Sequence, residues 1–179
     1  IVPPGEVFLY SNIGMALAAF LVEEITGKNF EQYTIENLFL PLDMKKSSFR
    51  VKDEYKDDIY KGYVYLNGKQ NKFPFDFIND YPAGQMLTTI NEFSNFIIMH
   101  LNNGKFEGRK IVNSLFIDEM QSVQFTHHPK LHSAVGYGFF IDEVNGTKLL
   151  SHNGGYPGIL TRMLIFPELK LAMFIAMNG

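Results

Sequence analysis

Cysteine is absent from the 179 residues, which removes disulfides, thiolate metal sites and a cysteine nucleophile together. Charge of either sign is also sparse in net terms. The formal total is -3, from 16 Lys and Arg against 19 Asp and Glu, and the basic residues are scattered. No bulk field therefore draws the chain to nucleic acid or to anionic lipid. Long apolar runs are missing as well: the longest, Met15 to Val22, is far too short to span a bilayer, and no signal peptide is visible. Internal repeats, low-complexity tracts and flexible linkers are not found either.

What the chain does have is apolar mass. Hydrophobic residues make up 46% and aromatics 15%, enough for one domain with a real core or two small lobes sharing one. Apolar positions 13, 16, 17, 20, 21 and 25 predict a buried helix from Tyr10 to Gly27, capped by Ser11 or Asn12 and stopped by Gly27. A second helix is expected from Phe30 to Phe39, with Asn29 as cap, Gln32 reaching back to it and Pro41 as terminator. Aromatic and polar residues interleave from Ile59 to Phe77 around Asn67-Gly68, a two-residue hairpin signal. Thr89-Ile90-Asn91-Glu92 reads as a capping box opening a helix to about Leu101, and a short helix follows from Ser114 to Gln121. Strand-like runs then occupy Val135 to Val144, Lys148 to His152, Ile159 to Phe166 and Leu171 to Met177, with Gly154-Gly155-Tyr156-Pro157-Gly158 breaking the set. The expected fold class is α+β: a mostly helical lobe with one hairpin over 1–134, then antiparallel strands over 135–179. Both ends, Ile1-Val2-Pro3-Pro4-Gly5 and the apolar run closing near Gly179, read as chain interior, so the expectation is one partial domain of a longer protein.

Two short segments carry candidate chemistry. Tyr10-Ser11-Asn12 sits where a turn enters a helix, and His152-Asn153-Gly154-Gly155 where a strand enters glycines. Acyl transfer needs a nucleophile, a group to take and return its proton, and donors facing the developing oxyanion. A tyrosine at a helix start can carry that proton when a cation beside it lowers its pKa from about 10. An asparagine amide can orient a substrate carbonyl or a lysine. Glycines leave backbone N–H groups open to close approach.

On these residues the chain resembles the serine β-lactamase and penicillin-binding-protein family, in particular the class C β-lactamase-related hydrolases. Pro3-Pro4-Gly5-Glu6-Val7-Phe8-Leu9-Tyr10-Ser11-Asn12-Ile13-Gly14 is similar to the segment around that family's Tyr-x-Asn motif. His152-Asn153-Gly154-Gly155 resembles its third motif, Lys-Thr-Gly in true β-lactamases and often His-x-Gly in peptidase and esterase relatives. Pro82-Ala83-Gly84-Gln85-Met86-Leu87-Thr88-Thr89 is similar to an Ala-Gly-Gly-Leu-x-Ser-Thr segment, and Gly136-Tyr137-Gly138-Phe139 to a Gly-Tyr-Gly-Trp strand. The pieces occur in family order.

The resemblance implies a β-lactamase/transpeptidase-like fold and a serine acyl-enzyme that uses neither metal nor organic cofactor. It makes Tyr10 the general base and acid, and Asn12 the contact to the substrate amide and to a lysine. His152 takes the third-motif position, Asn153 and Gly154 line the substrate strand, and the N–H of Gly155 is one oxyanion donor. A Ser-x-x-Lys motif upstream should supply the nucleophile. None of the eight serines here has Lys three residues on, so this chain alone is expected to be inactive. The longer protein is expected to hydrolyse D-alanyl peptides, small esters or β-lactams, in that order, since His152-Asn153 departs from Lys-Thr. A secreted or envelope location follows from the resemblance alone.

Other readings stand beside this one. A non-catalytic ligand- or peptidoglycan-binding module would keep the cleft without a serine. His127, His128 and His132 invite a metal, but they lack helical His-Glu-x-x-His spacing and an adjacent acid, so a solvated loop is expected. His100 is expected to be a favourable charge at a helix C-terminus. Phe73, Phe75, Phe77 and Tyr81 either line a substrate cleft or pack the hairpin onto the helices. Loss of a central helix against the sheet would expose an apolar face, and self-association is expected to cover it.

Overall fold

The computed structural model describes residues 2–128 and 133–179, which pack into two compact units. One is drawn from Ser11–Phe96, Gly154–Thr161 and Ala176–Gly179, the other from Ile1–Tyr10, Ile97–Asn153 and Arg162–Ile175.

The first unit begins with helix α1, Asn12–Thr26. The Ser11 hydroxyl caps it by accepting from the Gly14 N–H at 3.0 Å, and Gly27, left-handed at φ 67°, closes it by donating to the Glu23 carbonyl. The expected burial of this helix is not seen. Ala19 is its one buried residue, whereas Ile13, Leu17, Leu21 and Ile25, four residues apart in turn, face solvent because no described segment covers that stripe.

Helix α2, Phe30–Thr34, is capped by Asn29 and widens into a π turn over Ile35–Phe39. Gln32 does not reach back to the cap; its amide donates to Glu36, one turn onward, at 2.9 Å. Phe39, Leu42, Met44 and Phe49 form the buried core of this unit. Two carboxylates fix the segment between them. Glu31 accepts from the Phe49 and Arg50 N–H groups at 3.0 and 3.1 Å, and Glu92 accepts from the Lys46 N–H and Ser47 hydroxyl at 2.9 and 2.7 Å. Glu92 therefore completes only half of the expected capping box: its own N–H donates to Thr89, but its carboxylate is used elsewhere. Strands β1, Gly62–Leu66, and β2, Lys69–Phe73, pair antiparallel around Asn67-Gly68, both at positive φ as a two-residue turn requires. The one-turn helix α3, Tyr81–Gly84, precedes α4, Ile90–Leu101.

In the second unit a small ribbon, β3 (Lys105–Phe106) with β4 (Arg109–Lys110), leads to α5, Ser114–Met120, capped by Asn113. Beyond it lie β5 (Ala134–Val135), β6 (Phe140–Val144), β7 (Thr147–Tyr156), β8 (Ile159–Phe166) and β9 (Leu171–Met177). They form one five-stranded sheet in sequence order, of which Gly154–Thr161 and the end of β9 from Ala176 are counted with the first unit. Its tight connections make it an antiparallel meander. The run expected as a strand from Val135 to Val144 is interrupted: Gly136–Phe139 forms a loop in which the Gly136 N–H donates to the Phe139 carbonyl and the Tyr137 N–H to Met120. Conversely, Gly154-Gly155 does not break the sheet. Strand β7 runs through both glycines and reverses only at Pro157-Gly158. Ile97, Met99, Ile117, Phe139, Ile141, Leu150 and Ile165 are the core of this unit. Among the described residues no helix is long and apolar enough to cross a membrane.

Candidate functional site

Tyr10 directly precedes Ser11, the extended residue that caps α1. Its ring lies 6.2 Å, centroid to centroid, from Phe140 at the start of β6 and 6.1 Å from the His152 ring on β7. Phe140 in turn stands 5.7 Å from His152, and Phe8 meets Phe140 edge-on at 6.4 Å. These contacts all belong to one unit. Two side chains that can hold a proton, a phenol and an imidazole, thus share one aromatic cluster although 142 positions apart in the chain (152 − 10). Tyr10 is 56% exposed and His152 half-buried, so both are within reach of a ligand from solvent.

The pairing register adds a second feature. β6 begins at Phe140, opposite Ser151, while β7 continues beyond that point to Tyr156. Residues 152–156 therefore run past the end of β6, and among the described residues no strand pairs with them on that side. An edge of that kind offers backbone N–H and C=O groups to an extended ligand. Asn153 lies on it, exposed, next to His152.

Asn12, Gly154 and Gly155 belong to the other unit. Asn12 is the exposed first residue of α1. Gly154 has no room for a side chain, because a Cβ there would stand 2.3 Å from the Thr161 hydroxyl oxygen. Both glycines line a cavity of about 130 Å³ together with Tyr60, Phe75, Ile78, Met86, Tyr156 and Ile159. Burial pushes the Tyr60 phenol pKa up, and the neighbouring Tyr156 adds to the shift. On the far side of Tyr60 and Phe75 opens a wider cleft, about 750 Å³, lined also by Lys56, Lys61, Lys72, Phe73 and Phe77. The larger space contains neither glycine, so the smaller one is where backbone donors could meet a substrate carbonyl.

The structure thus brings Tyr10 to His152, with Asn153 beside the latter, and puts Gly154 and Gly155 on a cavity wall. Phe73, Phe75 and Phe77 line clefts, whereas Tyr81 packs against Phe49 and Phe30 at 5.7 and 6.4 Å. Sequence reasoning missed Phe8, Phe140, Tyr60 and Tyr156. Phe8 lies in the segment that leads into Tyr10 but carries no chemistry of its own to mark it. The others had no signal either, since only tertiary pairing brings them to the site. His100 is a correction. It is buried, edge-on to Phe139 at 5.2 Å, and burial lowers its pKa to about 4, so it is neutral at pH 7 and not a helix-end charge. Among the described residues no three His, Asp or Glu side chains are grouped to hold a metal. His127 stacks edge-on with Phe125, and His132 lies outside the described residues.

A family model described as Beta-lactamase matches residues 2–179. Beta-lactamase-like protein 2 of Dictyostelium discoideum is 26% identical over 179 residues, which cover 98% of this chain and 32% of that protein. Penicillin-binding protein 4* of Bacillus subtilis is 22% identical, covering 98% and 40% respectively. The chain thus spans about a third of the length of the first of these relatives. Among solved structures, the octameric penicillin-binding protein homologue from Pyrococcus abyssi superposes with a TM-score of 0.88 at 25% identity, over 100% of this chain and 40% of that one. The D-amino acid amidase from Ochrobactrum anthropi SV3 does so at 0.78 and 20% identity, over 98% and 51%, a likeness of fold.

Proposed function

The chain belongs to the Beta-lactamase family, and from that premise we propose that it is the proton-transfer and substrate-strand portion of a serine acyl-transfer hydrolase acting on amides or esters. The observation that supports this best is the approach of the Tyr10 ring to His152 at 6.1 Å beside an unpaired strand edge. In this reading a serine from outside the chain attacks the substrate carbonyl as its proton passes to the Tyr10 oxygen, which must be deprotonated to take it. The carbonyl oxygen takes the negative charge and is met by the Gly155 N–H. The tetrahedral adduct then expels an amine or alcohol, which leaves with the proton held at Tyr10, and an acyl-serine remains. Water repeats the sequence and frees the acid. Asn12 orients the substrate amide, His152 shares the proton traffic with Tyr10, and Asn153 and Gly154 hold the substrate along β7.

Lacking a Ser-x-x-Lys of its own, the chain is inactive by itself in this reading. The third-motif His152-Asn153, in place of Lys-Thr, favours amides and esters of amino acids over β-lactams. Self-association belongs to the same proposal, since α1 presents an uncovered apolar stripe and the Pyrococcus homologue is described as octameric. The direct experiment is labelling of the longer protein with fluorescent penicillin and with a fluorophosphonate. A stable covalent adduct at a serine is expected with at least one probe. No adduct with either, on folded protein, would sink the hydrolase reading.

A further inference from the structure

We propose that the cavity beside Gly154-Gly155, walled by Tyr60, Phe75, Ile78, Met86, Tyr156 and Ile159, receives an aromatic or branched apolar side chain of the substrate. The class then becomes amides or esters of bulky apolar amino acids. This rests on the reading of Gly155 as a carbonyl-facing donor.

Size comes first. A dry apolar cavity of about 150 Å³ is enough to hold benzene. The 130 Å³ here suits one phenyl or isobutyl group. A methyl group would leave most of it empty. Lining comes second. Gln85 also borders the cavity, but its side-chain oxygen already accepts from the Ile78 N–H at 2.7 Å. The one ionisable acid on the wall is Asp76, which accepts from the Phe77 N–H at 2.8 Å and whose charge opposes an acidic side chain. The Tyr60 phenol, whose pKa burial moves further up from 10, adds no charge at neutral pH.

Rigidity is the third argument. A pocket discriminates by size only if its walls do not yield, and the hairpin that carries one wall is anchored at three points. Gly158 and Gly62 meet backbone to backbone, with no space for a Cβ on Gly158. Phe73 packs edge-on against Tyr156 at 6.4 Å, while Tyr60 against Phe75 at 5.9 Å ties the hairpin's own two arms together. The Asn178 amide donates to the Lys61 carbonyl at 3.1 Å. The turn of β7–β8 that ends the glycine segment thus also positions the wall facing it.

The test is a titration of the ¹⁵N-labelled chain with N-acetyl amides of phenylalanine, leucine, alanine and glutamate, in both enantiomers. For one enantiomer, phenylalanine and leucine should bind at least about tenfold tighter than alanine. Glutamate should bind weakest. Amide shifts should map to Tyr60, Met86, Gly155 and Tyr156, and Phe75→Ala should move the preference to the larger tryptophan amide. Equal affinity for alanine and phenylalanine amides overturns the proposal, as do shifts that miss Tyr60, Met86 and Tyr156. The wild-type series decides this even if the variant does not fold. Turnover is read separately on the longer protein. Hydrolysis without side-chain preference removes the pocket and leaves the hydrolase; selective binding without turnover keeps the pocket and removes the hydrolase.

Discussion

Gly158, in the turn between β7 and β8, approaches Gly62 at the start of β1 so closely that a Cβ on Gly158 would stand 2.7 Å from the Gly62 Cα and from the Tyr63 nitrogen. Backbone on both sides leaves nothing flexible to give way. Gly158 is also at φ 80°, where an L side chain is strained.

Gly158→Ala should therefore cost at least about 1–2 kcal/mol from conformation alone, with the collision added to it. Urea unfolding of the variant should show a lower midpoint. Amide shifts should be concentrated in 60–66 and 154–161. A variant as stable as wild type with unchanged shifts in β1 would show that the two backbones do not meet.

The buried His100 gives a pH dependence of defined sign. Its folded pKa, about 4, lies below the ordinary value of 6.5 because burial penalises the imidazolium. Between those two values the unfolded chain binds the extra proton. The contribution is thus fully present above about pH 6.5, is lost as pH falls towards 4, and amounts to about 3 kcal/mol at 1.36 kcal/mol per unit. Urea midpoints measured from pH 7.5 to 4.5 should fall more steeply for wild type than for His100→Gln. Parallel slopes across that window would contradict the buried neutral imidazole.

The uncovered stripe on α1 leads to a concentration dependence. Ile13 and Ile25 are 78% and 83% exposed, and Leu17 and Leu21 lie between them on the same face. Apolar surface of this kind drives association. Light scattering of the chain should show a mass that rises with concentration, and Leu17→Glu with Leu21→Glu should return it to the monomer value without lowering stability. A wild-type chain that stays monomeric at high concentration contradicts self-association.

The legible parts of this molecule were those that local chemistry dictates. Ser11 and Gly27 bound α1, and Asn67-Gly68 turns the hairpin, because a cap and a primed turn need only their own few residues. The α+β class followed from the same periodicities. The failures were tertiary. α1 has the apolar residues of a buried helix, but burial depends on what lies opposite, which periodicity cannot report. Gly154-Gly155 has the composition of a loop, yet β8 holds it in β7, and Thr161 on β8 takes the space a side chain would need. Of the candidate site, Tyr10 and His152 could be named from their motifs, whereas Phe140, which stands near both rings, reaches them only through the β6–β7 register.

That arrangement makes Tyr10→Phe the informative substitution. The ring would remain against Phe140 and beside His152, and only an exposed hydroxyl would be lost, so stability should change by no more than about 0.5 kcal/mol. If the phenol carries the serine's proton, acylation of the longer protein should slow by about 10²–10⁴-fold. Noncovalent affinity for an N-acetyl amide should hold, because Tyr10 is not among the residues lining the proposed side-chain cavity. Single-turnover labelling with a fluorophosphonate measures the first quantity and titration of the chain the second. An unchanged acylation rate would remove Tyr10 from the proton path, whatever its neighbours, and leave its ring with a packing role against Phe140 and His152.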